Sequence, residues 1–139
     1  MLIKNLNPYI SCNGNAEQAI HLYETALGAK VEELMRFSQM PCENLAPEHH
    51  NRIMHAMLKI GDHTLMVSDG MPDKPVPASG NVSIALDFAD PTGMGQAFDA
   101  LSAGGTVIMP IGDAFWGAKF GMLLDPYGIR WMFNHTLPK

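Results

Sequence analysis

The sequence predicts an α+β protein made of two βαβββ repeats, whose strands form a concave mixed sheet with the helices outside. Three observations predict this. Two stretches of helical periodicity each follow a short strand-like run and stop at glycine, at Gly28 and at Gly104. The same order of turn signals recurs at a period of about 75 residues. Between the copies lies DGMPDKPVPASG, whose three prolines suit a semi-rigid connector and no packed element. The expected organisation is a single domain over 1–139, with a first repeat over 1–70, a connector over 71–79 and a second repeat over 80–139.

The elements follow in order. Leu6 to Cys12 has strand character, and NGN supplies a turn and a helix-start residue in Asn15. Ala16, Ala19, Ile20, Tyr23, Ala26 and Leu27 then fall on one helical face. Gln18, three residues past Asn15, offers a capping-box-like partner, and Gly28 suits the left-handed position after the helix. Lys30 to Phe37 reads as a strand. SQMPCENLAPEHHNR breaks every periodicity and reads as a loop, and HAMLKI and HTLMVSD form a hairpin with Gly61-Asp62 at its tip.

The second copy opens with the strand NVSIALDF. Asp90-Pro91 then starts a helix, with proline at its first position and Met94, Ala97, Phe98 and Leu101 as the buried stripe. Gly104-Gly105 ends that helix. Thr106 to Ile111 and GAKFGMLLD are strands, DPYG is a type I turn with glycine last, and IRWMFNH is the closing strand.

Composition excludes several functions. The 139 residues carry 9 Lys+Arg against 14 Asp+Glu, a formal charge of -5, so the basic field that attracts nucleic acid or an anionic membrane is missing. Nowhere do eighteen apolar residues run together, and the N-terminus lacks an apolar signal core. Two cysteines, Cys12 and Cys42, are too few for a disulfide framework and read as reduced thiols in a cytoplasmic protein.

Tyr23, Leu27 and Gly28 closing the first helix, Phe115-Trp116-Gly117 followed by Gly121, and Asp125-Pro126-Tyr127-Gly128 before the last strand together resemble the vicinal-oxygen-chelate superfamily. This is the glyoxalase, bleomycin resistance and dihydroxybiphenyl dioxygenase fold. Within it, PYISCNGNAEQAIHLYETALGA, HAMLKIGDHTLMVSDGMP and FWGAKFGMLLDPYGIRWMFN are similar to the PhnB-like branch, which also carries a 3-demethylubiquinone methyltransferase-like label. The resemblance spans nearly the whole chain and implies a homodimer. It also implies a metal held by His, Glu or Gln from the first, fourth, fifth and eighth strands, ready to chelate neighbouring substrate oxygens.

Anchoring on Tyr23 and on the DPYG turn puts Pro8, Met66, Ser83 and Met132 at or within about one residue of those positions. Proline has no side-chain donor, thioethers favour soft ions and a lone serine is a weak anchor, so no cofactor is expected at the usual place. The glycines also offer no methyl-donor cradle, since Gly14 is isolated and Gly93 and Gly95 lie at a helix start.

Two functions follow. The first is a small-molecule-binding protein whose mostly apolar, adaptable cavity is lined by Cys12, Met66, Ser83 and Met132, with Trp116 as a wall. In it Ser68, Asp69, Asn134 and His55 fix the ligand's polar groups. The second is a metal-dependent isomerase, lyase or dioxygenase with relocated ligands from His55, Asp69 and His49-His50. Glu48, His49, His50 and His55 share one window, but adjacent histidines project in different directions, so a loop surface is the simpler reading. Trp131 alternates with Met132 and is assigned to the core. Arg36 and Arg130 are the strand arginines that could meet a phosphonate.

Overall fold

A computed structural model describes residues 2–39, 45–77 and 81–138. Cys42 and the end of the connector lie outside the described residues. The chain divides into two compact units, Met1–Pro77 and Ala78–Lys139. Each holds one helix and one four-stranded mixed sheet, which is the expected βαβββ unit.

In the first unit β1 (Tyr9–Ser11), α1 (Ala16–Leu27), β2 (Lys30–Arg36), β3 (Ile53–Ile60) and β4 (His63–Ser68) form a sheet of order β1-β4-β3-β2. β1 runs parallel to β4, and the other pairs are antiparallel. Ala16, Ala19, Ile20 and Tyr23 of α1 are buried together with Ile10, Ala56, Leu58, Leu65 and Val67 of the sheet, so one face of the sheet is the core. Strand alternation sends Tyr9, Met66, Met57 and His55 to the other, helix-free face.

The start of α1 corrects the expected capping box. Asn15 makes no side-chain cap, and no bond from Gln18 back to it is found among the described residues. Instead Asp69, just past β4, accepts the backbone N–H of Ala16 at 2.8 Å and of Gly14 at 2.9 Å through Oδ1. A carboxylate has the charge that the positive end of a helix favours, which a neutral asparagine lacks. The other end behaves as expected, with Gly28 at φ 69°. The loop after β2 contains two single-turn 3-10 segments, Phe37–Gln39 and Pro47–His49. Gly61 opens the two-residue hairpin tip with φ 60°.

In the second unit β5 (Ile84–Asp87), α2 (Pro91–Ser102), β6 (Thr106–Ala114), β7 (Ala118–Leu124) and β8 (Arg130–Thr136) repeat the order as β5-β8-β7-β6. Asp90 caps α2 by accepting from the N–H of Thr92 and of Gly93, and Met94, Ala97, Phe98 and Leu101 are its buried stripe, as expected. Phe98 meets Phe133 edge-on with centroids 5.2 Å apart, and Phe88 stacks on Phe133 at 5.1 Å. β6 runs three residues past Ile111, through two register shifts around Met109 that accommodate Pro110.

Trp131 is fully buried and donates its Nε1–H to Asp125 Oδ2 at 2.9 Å, while Asp125 Oδ1 accepts from the N–H of Tyr127 and of Ile129. The DPYG turn is therefore pinned by its own first residue, closed by the Gly128 N–H on the Asp125 carbonyl at 3.1 Å. The period near 75 residues holds for the first strands and helices. It shortens by about ten residues for the last two strands, because the second copy replaces the long loop before β3 with the turn at 115–117.

Candidate functional site

The helix-free face of the second sheet carries the more developed constellation. Phe115, Trp116 and Gly117 make the three-residue connection from β6 to β7, closed by the Gly117 N–H on the Ala114 carbonyl at 3.2 Å. Gly117 takes φ 78°, which this kind of hairpin loop demands of its last residue. The Leu137 N–H on the Gly117 carbonyl at 2.9 Å ties the turn to the end of β8. Trp116 is thereby held above the sheet, 52% exposed, with Phe115 almost fully exposed beside it.

Its ring meets Phe120 of β7 in a T-shaped contact at 5.3 Å, and Phe115 meets Trp116 likewise at 5.0 Å. Opposite Phe120 in register stands Asn134 of β8, and opposite Asn134 stands Asp87 of β5. Asn134 accepts a long, 3.5 Å hydrogen bond from Trp116 Nε1–H at Oδ1 and donates through Nδ2 to Asp87 Oδ1 at 2.9 Å. The carboxylate only accepts and the indole N–H only donates, so the amide's orientation is fixed by its neighbours. One rung further, Ala85, Met132, Met122 and Met109 continue the same face with apolar and thioether groups. The result is an aromatic wall, a soft floor and one exposed carboxylate.

The first unit's helix-free face is simpler. The equivalent row is Tyr9, Met66 and Met57, and the Tyr9 hydroxyl lies 2.8 Å from His55 Nδ1. His55 does face outward as its strand position predicts. Met35 stands opposite it on β2.

Several sequence-predicted residues have their polar groups committed inside the fold. Asp69 is buried, and besides α1 it accepts the Ile53 N–H through Oδ2 at 2.8 Å, so both carboxylate oxygens serve the backbone. Arg52 Nη2 donates to the Asp69 carbonyl at 3.1 Å, placing a cation over the same corner. Ser68 donates from Oγ to the Met54 carbonyl and accepts from the Gly70 N–H. Cys12 is buried in step with Ile10, on the core side of β1. Asp69 and Ser68 thus have their side-chain oxygens engaged with the backbone, and Cys12 is buried among core residues.

Ser83 precedes β5, in step with Ala85. Among the loop histidines, His50 Nε2 lies 3.0 Å from the Leu45 carbonyl. Arg36 is also occupied. It grips Glu17 with two bonds of 3.1 and 2.9 Å and donates to the Asn51 carbonyl. The hydrogen bonding between Arg36 and Glu17 holds the Glu17 carboxyl below its usual range and raises the Arg36 guanidinium.

The resemblance implies His, Glu or Gln ligands on four strands, and each unit carries other residues on the strands concerned. In the first unit β1 and β4 present Tyr9 and Met66 on the helix-free face, while Pro8 offers only its carbonyl, which accepts the Met66 N–H; in the second, β5 presents Ala85 and Asp87, and β8 presents Met132 and Asn134. Of these, the phenol, the two thioethers and the methyl group do not fit a hard or borderline divalent cation. Among the described residues no group of three or more His, Cys, Asp or Glu could hold one.

Sequence reasoning missed Asp87 and Phe120. Asp87 lies two residues past Ala85, and Phe120 two before Met122, on the same faces, but only the register of β5, β8 and β7 brings them together beside Asn134.

Comparison with known proteins bears on the whole chain. Residues 5–133 match the family model of the glyoxalase/bleomycin resistance protein/dioxygenase superfamily. The protein YjdN of Escherichia coli is 32% identical over 138 residues, covering 93% of each chain. The crystal structure of PA1353 from Pseudomonas aeruginosa superposes with a TM-score of 0.88 at 35% identity, covering 98% of this chain and all of that one. The PhnB protein of Bacillus cereus shares the fold at a TM-score of 0.77 and 19% identity, over 96% of this chain and all of its own. With two βαβββ units in tandem and a match over nearly its full length, the chain belongs to the glyoxalase/bleomycin resistance protein/dioxygenase superfamily.

Proposed function

We propose that this protein binds a small, partly apolar molecule on the helix-free face of its second sheet, without the metal ligands usual in the superfamily. The single observation that carries the reading is Trp116. A large aromatic side chain in a small domain is ordinarily buried, and here Trp131 is fully so. Trp116 is instead half exposed yet held by three separate constraints: the Gly117 turn, the Phe120 ring and the Asn134 amide. A fixed, exposed indole with an adjacent thioether floor supplies contact area at little ordering cost, which is what a binding wall needs.

The test is thermal unfolding of wild type and Trp116→Ala against a metabolite and drug panel. A ligand at about a hundred times its Kd stabilises the folded state by about 2.7 kcal/mol. The reading expects at least one compound to raise the wild-type Tm and to lose that effect in the variant. A saturating panel that moves neither protein, or moves both equally, would overturn it.

A further inference from the structure

We infer that the ligand of this face is an organic cation, an ammonium or amidinium carried on an aromatic or otherwise planar body. The inference rests on the binding reading above and adds the charge of the ligand.

The geometry begins with Asp87. It is exposed at the end of β5 and spends Oδ1 on the Asn134 amide, and no bond to its Oδ2 is found among the described residues. A carboxylate oxygen so placed accepts hydrogen bonds and offers none, which selects a donor or a cation. The Asn134 amide stands between Asp87 and the indole, so the acid and the ring lie on either side of one planar group. Asn134 is thus chiefly a positioning residue here, with both of its ends already engaged.

The indole face is itself an electron-rich surface that attracts a cation, by roughly 0.5–2 kcal/mol depending on desolvation. Phe120 and Phe115 meet that ring edge-on and keep it from turning away. Among the described residues no bond from a basic side chain to the Asp87 carboxylate is found. Lys119 alternates with Phe120 and is paired with Asp113 at 3.3 Å, and the His135 ring is engaged with the Phe88 carbonyl at 2.8 Å. The net charge of -5 adds a weak long-range pull of the same sign. Arg130 lies on the same face of β8, two rungs from Asn134. At the Asp87 end an anionic ligand would meet repulsion from Asp87 and from the ring face together, whereas an organic cation satisfies both.

The experiment titrates the full chain with 1-naphthylmethylammonium, 1-naphthalenemethanol and 1-naphthoate by ligand-observed NMR. The same ring is thereby presented with positive, neutral and negative tails. The expected result is an ammonium at least tenfold tighter than the alcohol and a naphthoate weaker still, with the spread narrowing as salt screens Asp87. Asp87→Asn keeps the acceptor for the Asn134 amide, should leave Tm unchanged, and should cut the ammonium-to-alcohol ratio severalfold, leaving only the part due to the ring face. Trp116→Leu should weaken all three probes.

Equal affinity of alcohol and ammonium, or a preference undiminished in Asp87→Asn, overturns the inference. If the neutral or anionic probes still bind through Trp116, the small-molecule reading stands with a different ligand class. Absence of Trp116-dependent binding in this series overturns the inference alone, and its absence in the metabolite panel as well overturns both.

Discussion

Replacing Asp69 by alanine tests how the first unit is held together. Its carboxylate accepts three backbone N–H groups, from Gly14, Ala16 and Ile53, at 2.8–2.9 Å. It joins the entrance of α1 to the start of β3. Hydrogen bonds to a charged acceptor contribute about 1.5–3 kcal/mol each. Gly14 is exposed, so water can replace part of its loss, but Ile53 and Ala16 are fully buried and their N–H groups would be orphaned. Two such orphans at ~1–3 kcal/mol each, plus the charge favoured at a helix N-terminus at ~0.3–1 kcal/mol, give a cost of roughly 2–7 kcal/mol, centred at about 4 kcal/mol.

That is a large share of the ~5–15 kcal/mol that a domain has in total. Urea denaturation followed by circular dichroism reads it directly. With a slope of ~2 kcal/mol per molar the midpoint should fall by about 2 M at unchanged slope. Asp69→Asn should land between, since one amide oxygen can still serve α1 while its NH2 confronts the Ile53 N–H. A midpoint within about 0.3 M of wild type for the alanine variant, a shift of under ~0.6 kcal/mol at that slope, would refute the assignment of Asp69 as the structural hub.

Other predictions follow from the same reasoning. A Cβ at Gly105 would run into the Leu124 carbonyl oxygen and lie 2.9 Å from the Asp125 carbonyl carbon, both backbone atoms, so Gly105→Ala should cost more than ~2 kcal/mol in chemical denaturation. The identical substitution at Gly95, inside α2 with nothing within 4 Å, should instead stabilise by ~0.5–1 kcal/mol. Glu17 is held below its ordinary pKa by Arg36, so the pair's contribution is present at neutral pH and is lost as pH falls through the folded carboxylate's range. Both partners are partly exposed, which limits it to about 0.5 kcal/mol. The stability difference between wild type and Glu17→Gln should therefore be small at pH 7, smaller in 1 M salt and absent near pH 2.

The fold was legible wherever the signal was local. The Asp90-Pro91 start of α2 and its four buried apolar residues lie within a dozen positions, and their pattern admits one reading. So does the DPYG turn, which Asp125 closes on itself. The start of α1 misled because its cap comes from Asp69, fifty-odd residues away, which no nearest-neighbour pattern reveals. Asp69 and Ser68 looked like ligand handles for the same reason. A polar pair at a strand end reads identically whether it faces a pocket or the backbone of another element, and only the tertiary contacts separate the two.

On the second face Trp116, Met132 and Asn134 were within reach, because the glycine-flanked turn and strand alternation place them. Asp87 and Phe120 needed the parallel pairing of β5 with β8 and the register of β7, which turn the three strands into one rung.

The most direct test of the binding account labels the protein with 5-fluorotryptophan and follows its two fluorine resonances. One reports the exposed Trp116 and the other the buried Trp131, each assigned by its Phe variant. On titration with a compound that raises Tm, the account predicts a saturable shift of the Trp116 resonance with that of Trp131 left in place. A stabilising compound that leaves Trp116 unmoved, or shifts only Trp131, would contradict it.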